Sequence, residues 1–269
     1  MVWAWHWLLY LVAVAAIVLA LTLDKSGSSS ASSSNIAPAR DTAEVYVTLT
    51  TIPERLQTAY FRRVVENLLS QKPTVLRLNI PYVYERTGEP YVLPDWLQQY
   101  PSIQVVRGPD LGPVTKILGG VDTIPDEAVV VVLDDDLIYK EFVVSDLTHA
   151  ALTRPGKISC FNIWKDSSWV AQGLDLWLPG GFSGCSGSAK TFKRLKSIPQ
   201  FDACRVIDDH WLGWAYHRLG IPLQYVDRQW ENDHFHSLVE GEEHPAWYEL
   251  VNHTNRDLQR ILCFDAITK

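Results

Sequence analysis

The sequence predicts an α/β domain built on a mostly parallel sheet, and three observations carry that prediction. Segments of strand and helix character alternate from residue 45 to residue 133, the pattern of a parallel sheet with right-handed crossovers. Residues 129–133, Val-Val-Val-Val-Leu, read as a central strand covered on both faces. Beyond residue 40 there remain about 230 residues, enough for one large domain with a substantial core.

In chain order, Val45–Thr50 reads as the first strand. Thr51-Ile-Pro-Glu54 is a helix-start signal with Thr51 as candidate cap, and the helix runs to about Gln71. Val75–Ile80 alternates as a second strand, Pro81–Gly88 is loop, and Ile103–Arg107 is a short third strand. Gly112-Pro113 opens a short helix through Leu118, and Val129–Leu133 is the fourth strand. The second half is less regular. It offers a helix within Lys140–Arg154, a strand at Lys157–Trp164, a loop at Leu178–Gly187, a helix at Asp208–Leu219 and a strand at Leu223–Val226.

The ends differ from this body. Residues 2–23 are almost wholly apolar, interrupted only by His6 and Thr22, a length that spans a bilayer. Trp3, Trp5, Trp7 and Tyr10 cluster toward one end, as interfacial aromatics do. No basic n-region precedes the run, which favours an uncleaved anchor over a cleaved signal. Residues 24–40 form a Ser-rich stalk unable to bury a core, so the folded domain is expected over 41–269. Lys25 and Arg40 follow the span, so the positive-inside rule does not place the domain in a lumen. Two other signals point there: the acceptor triplet Asn252-His-Thr254, and four cysteines able to form two disulfides in three pairings. Four buried thiols are the alternative, and no zinc spacing is present.

The chain carries a net charge of −7 without a basic block, which gives no indication of a nucleic-acid partner. Eleven tryptophans supply either core or faces for sugar stacking. The chemistry concentrates where the valine run ends in Asp134-Asp135-Asp136. Three adjacent carboxylates repel unless cations or protons offset them, and hard divalent cations such as Mn²⁺ or Mg²⁺ suit such ligands. Alternation along an extended strand turns Asp134 and Asp136 one way and Asp135 the other, an Asp-x-Asp pair at the carboxyl end of a strand, where ligands bind in such sheets.

In this triplet, together with Thr50-Thr-Ile-Pro-Glu-Arg55, Gly112-Pro-Val-Thr-Lys116, Gly180-Gly-Phe-Ser-Gly184 and Ile207-Asp-Asp209, the chain resembles the nucleotide-sugar-dependent glycosyltransferases of the GT-A fold. The likeness covers most of residues 44–236 and leans toward exostosin-like and bacterial family 2-like enzymes. It implies a Rossmann-like GT-A domain, a UDP-sugar donor, and a glycan, protein or lipid hydroxyl as acceptor. It further implies a Golgi or ER membrane protein with a lumenal catalytic domain.

Carried over residue by residue, the resemblance makes Asp136 the metal ligand, with Asp134 and Asp135 supporting it at metal-bound water or ribose. It places Thr50, Arg55 and Lys116 against uracil, ribose or phosphate; Arg55 is otherwise a surface residue of a first helical turn. Asp110 either bonds the base or shapes the Pro109–Gly112 turn. Asp209 becomes the residue that deprotonates the acceptor hydroxyl. Asp208 lies beside it near the reacting sugar, or else serves as the helix N-cap. Gly181, Phe182 and Ser183 would lie under acceptor and donor sugar, Gly-rich so that backbone approaches closely. His236, or His234, would complete the metal set. Two rival readings are a metal-dependent phosphotransferase or nuclease, and a glycan-binding protein that has lost turnover. No phosphate-binding Gly-x-x-x-x-Gly-Lys loop supports the former.

Overall fold

The β-branched runs become strands, and their burial fixes which face each residue takes. The computed structural model describes residues 43–226, 239–240 and 253–269, which belong to one compact unit beginning at Thr42. Among these residues the main sheet has seven strands: β1 (Val45–Leu49), β2 (Val75–Pro81), β3 (Ile103–Gly108), β4 (Val129–Val132), β5 (Ile158–Cys160), β6 (Cys185–Ser188) and β7 (Leu223–Tyr225). Their order is β7-β5-β6-β4-β1-β2-β3. β1 pairs in parallel with β2 and β4, β2 with β3, and β5 with β7, whereas β6 runs antiparallel to β4 and β5. The fold is α/β, with a mostly parallel sheet and flanking helices.

The helices are α1 (Pro53–Leu56), α2 (Ala59–Ser70), α3 (Thr115–Leu118), α4 (Val143–Thr153), α5 (Ser167–Ala171), α6 (Ala189–Lys193), α7 (Asp208–Leu219) and α8 (His253–Thr268). Strand alternation divides the core into two layers. Val129 and Val131 pack with Phe61 and Leu68 of α2 and Leu147 of α4. Val130 and Val132 face the other layer, with Phe192 of α6 and Trp211 and Ala215 of α7. Both faces of β4 are therefore covered, which is why its sequence is uniformly apolar.

Three expectations change. The single helix after β1 is two, broken at Gln57–Thr58; Ile52, not Thr51, precedes α1, and Thr58 caps α2 by accepting from Phe61 N at 3.1 Å. The segment 178–187, read as loop, contributes β6 to the middle of the sheet. Cys-Ser-Gly-Ser has little strand propensity, and only small side chains fit there: a Cβ at Gly187 would lie 2.7 Å from Ile158 Cδ1. The strand at 157–164 divides into β5 and a two-residue strand, Ile163–Trp164, paired with Leu178–Pro179.

All four cysteines are oxidised, so the thiol alternative fails. Cys160–Cys185 links directly opposed residues of β5 and β6, and Cys204–Cys263 ties the approach to α7 to α8. Among the described residues no helix is long and apolar enough to cross a membrane; residues 2–23, the stalk at 24–40 and the Asn252 acceptor position lie outside them.

Candidate active site

The sheet order sets the location. β2 and β3 lie to one side of β1 and β4 to the other, so a crevice opens beyond the carboxyl ends of β1 and β4. The chain leaving β1 carries Thr50 and α1; the chain leaving β4 carries the acidic triplet. α3 follows β3, and α7 brings Asp208 and Asp209 from the second half.

β4 ends at Val132, and the chain bends at Asp135–Asp136. Strand alternation therefore does not govern the triplet, and the expected pairing of Asp134 with Asp136 on one side does not form. Instead Asp135 and Asp136 share one partner. Arg55 Nη1 bonds Asp135 Oδ1, and Arg55 Nη2 lies 3.4 Å from Asp136 Oδ2. Arg55 is 6% exposed, not a surface residue. Burial opposes its charge, but Asp135 and Asp136 outweigh that and hold the guanidinium pKa above its ordinary value.

Asp134 turns to Lys116. The Lys116 ammonium, 5% exposed in α3, lies 2.7 Å from Asp134 Oδ1 and 2.9 Å from Asp208 Oδ2. Its pKa stands well above normal because the carboxylates around it overcome the cost of burial. Lys116 thus ties the end of β4 to the first turn of α7. Asp208 is the first residue of α7 and not its cap, which falls at Ile207 with no side-chain bond.

Asp209 Oδ1 accepts from Gly181 N at 3.0 Å. Position 181 has no room for a side chain: a Cβ there would lie 2.9 Å from Asp209 Oδ1 and 3.3 Å from Lys116 Nζ. Gly181–Ser183 forms a single short turn closed by Gly184 at φ +91°, a conformation suited to glycine. Ser183 Oγ donates to Gly180 O at 2.7 Å, so this hydroxyl is used within the turn.

Tyr139 is a site residue that sequence reasoning missed. Its buried hydroxyl accepts from Asp134 N at 3.0 Å and donates to Phe182 O at 2.9 Å, clamping the triplet to the 180–184 turn. Val239–Glu240 pairs with Ile138–Tyr139 and returns the chain to this place. Tyr60 adds a bond from its hydroxyl to Asp136 O at 3.1 Å. A Tyr three residues after an acidic triplet is an ordinary sequence, and only the fold reveals its reach.

Two further expected residues have internal duties. Thr50 Oγ1 donates to Asn79 O at 2.7 Å, joining the ends of β1 and β2. Asp110 accepts from Gly112 N at 2.7 Å and Glu85 N at 3.1 Å, the turn-shaping alternative. His236 and His234 lie outside the described residues.

Five carboxylates thus gather around two buried cations, and the imbalance appears in their affinity for protons. Burial, then Asp135 and Asp134, push the Asp136 carboxyl up to about 7. Burial, then Asp208, push Asp209 up to about 8. Asp135 Oδ2 is buried without a hydrogen-bond partner. Among the described residues no three His, Cys, Asp or Glu side chains converge into a ready cage. The triplet nonetheless has the donor type, the excess negative charge and the unsatisfied oxygen that a hard cation requires.

No protein-family model matches this chain, and no curated protein matches it. Among solved structures it is similar to a nucleotidyl transferase from Methanothermobacter thermautotroptrophicus, at 15% identity and a TM-score of 0.46 over 85% of this chain and 100% of that one. A 4-diphosphocytidyl-2C-methyl-D-erythritol synthase aligns at 10% identity and a TM-score of 0.47, covering 82% of this chain and 99% of that one. The synthase of that name from Anaerococcus prevotii gives 12%, 0.45, 69% and 90% for the same quantities. What those proteins act on says nothing about the substrates of this chain.

Proposed function

We propose that the protein is a metal-dependent glycosyltransferase of GT-A type, moving a sugar from a UDP-sugar to a hydroxyl of a glycan, protein or lipid. One observation carries the reading: the acidic triplet and the Asp208–Asp209 pair stand at opposite ends of the Lys116 bridge. Such a division supplies separate charge for a leaving group and for a nucleophile. Mn²⁺ or Mg²⁺ would be held by Asp136 and the free oxygen of Asp135, and when bound would neutralise charge on the departing diphosphate.

The chain's own residues do the rest. Arg55 holds Asp135 and Asp136 in place. Asp209 removes the acceptor proton at Oδ2, since Oδ1 is occupied by the Gly181 N–H. Its elevated proton affinity suits a base working near neutral pH. Lys116 balances Asp134 and Asp208, so its charge is directed to carboxylates more than to phosphate. The two disulfides support maturation in an oxidising compartment, in keeping with a Golgi or ER domain anchored through residues 2–23.

The test is calorimetric titration of UDP with and without Mn²⁺, followed by a donor screen. Asp136→Asn should abolish Mn²⁺-dependent nucleotide binding. Asp209→Asn should bind normally and lose turnover. Loss of binding in both variants, or no nucleotide binding by the parent, contradicts the reading.

A further inference from the structure

A cavity of about 400 Å³ opens beside the carboxylate cluster, within the size range of small-ligand sites. Half-buried Phe201 lines it, and behind it Trp211, 2% exposed, belongs to the core and bonds Pro199 O through Nε1 at 2.9 Å. The acidic lining is Glu85, Asp110, Asp202 and Asp208, joined by the neutral Gln200, and among the described residues Arg205 is the single lining cation. Arg205 is committed: Nη1 lies 2.5 Å from Glu85 Oε2, and Nη2 bonds Asp110 O and lies 3.7 Å from Asp110 Oδ1.

We propose that this cavity is an acceptor subsite for an uncharged or amine-bearing sugar unit, and that its lining excludes acceptors bearing carboxylate or phosphate. Carboxylates accept bonds from sugar hydroxyls, and the half-buried ring of Phe201 offers an apolar surface to a pyranose face. An anionic sugar meets excess negative charge, and the one cation is held by Glu85 and Asp110. The same imbalance makes the cavity unsuited to a diphosphate, which separates it from the donor side. Asp208 is common to the cavity and the Lys116 bridge, so an acceptor seated here lies against the first turn of α7, the turn that also carries Asp209. The assignment as acceptor site rests on the proposed glycosyl transfer.

The test uses the full chain in detergent and three probes that differ only in charge: methyl β-glucoside, methyl β-glucosaminide and methyl β-glucuronide. Saturation-transfer NMR reads their binding with and without UDP and Mn²⁺, and donor hydrolysis is followed separately. The expected result is binding of the first two, binding of the glucuronide at least tenfold weaker, and no displacement by UDP. Asp202→Lys, a change at the exposed rim, should narrow or reverse that order while leaving donor hydrolysis unchanged. Equal binding of the glucuronide, an order unmoved by Asp202→Lys, or displacement by UDP overturns the subsite. If UDP binding and donor hydrolysis are missing but the charge order and its response to Asp202→Lys persist, the transfer reading fails and the sugar site stands.

Discussion

Lys116 Nζ lies 2.9 Å from Asp208 Oδ2, an ion pair that reaches from the helix after β3 to the first turn of α7. With Asp134 on its other side, the ammonium neutralises two partly buried carboxylates contributed by distant parts of the chain. Lys116→Met leaves both without a counter-charge. Removing one partner of a fully buried pair costs about 3–5 kcal/mol, and since water reaches part of both carboxylates left behind, urea denaturation should show a loss below that range but above about 1 kcal/mol. Lys116→Arg should recover part of it. Equal stability of the Met variant and the parent would mean that Lys116 does not hold the two halves together.

The Tyr139 hydroxyl presents a smaller and cleaner case. Tyr139→Phe keeps the ring in the core but leaves the Asp134 N–H and the Phe182 carbonyl without their shared partner. An unmet buried polar group costs about 1–3 kcal/mol. The Phe variant should lose stability in that range and also lose turnover, because the triplet and the 180–184 turn are no longer fixed to one another. Unchanged kcat with a lowered denaturation midpoint would restrict Tyr139 to a stabilising role.

Gly181→Ala tests the close approach at the candidate base. The added methyl would fall 2.9 Å from Asp209 Oδ1 and 3.3 Å from Lys116 Nζ, so either the turn or the carboxylate must move. A misplaced base raises the barrier, and each 1.4 kcal/mol is about tenfold in rate. The variant should show at least that loss in kcat while binding UDP as before. A loss confined to nucleotide affinity would place Gly181 on the donor side instead.

The sequence exposed features that depend on local pattern and concealed those that depend on topology. The valine run of β4 and the first turn of α7 are legible because burial and helix periodicity are written into consecutive residues. The partners of the triplet are not. Arg55 reads equally well as a solvated helix residue, and only the parallel pairing of β1 with β4 carries it under Asp135 and Asp136. β6 escaped because its Cys-Ser-Gly-Ser sequence is chosen for lack of space between β4 and β5, and small residues carry no strand signal of their own. The expected facing of Asp134 with Asp136 failed for a related reason: alternation holds only while the strand lasts, and β4 stops at Val132.

Asp166 offers a prediction about acid stability away from the candidate site. It caps α5, accepting from Ser168 N at 2.8 Å and Ser168 Oγ at 2.5 Å, and its other oxygen lies 2.9 Å from His210 Nε2. Arg260 Nε stands 3.9 Å away. Burial alone raises its pKa, but the bonds from His210 and Ser168 prevail and hold the carboxyl down to about 2. An unfolded Asp titrates near 3.9. Because the folded value is depressed, the stabilisation is complete above pH ~4 and disappears as pH falls toward ~2, an amount of about 2–3 kcal/mol. Asp166→Asn removes this titration, so the stability gap between parent and variant should be widest near pH 6 and shrink through that window. Urea midpoints measured from pH 6 to pH 2 decide it: a gap that stays constant across the range would mean that the Asp166 carboxylate is not held by these bonds.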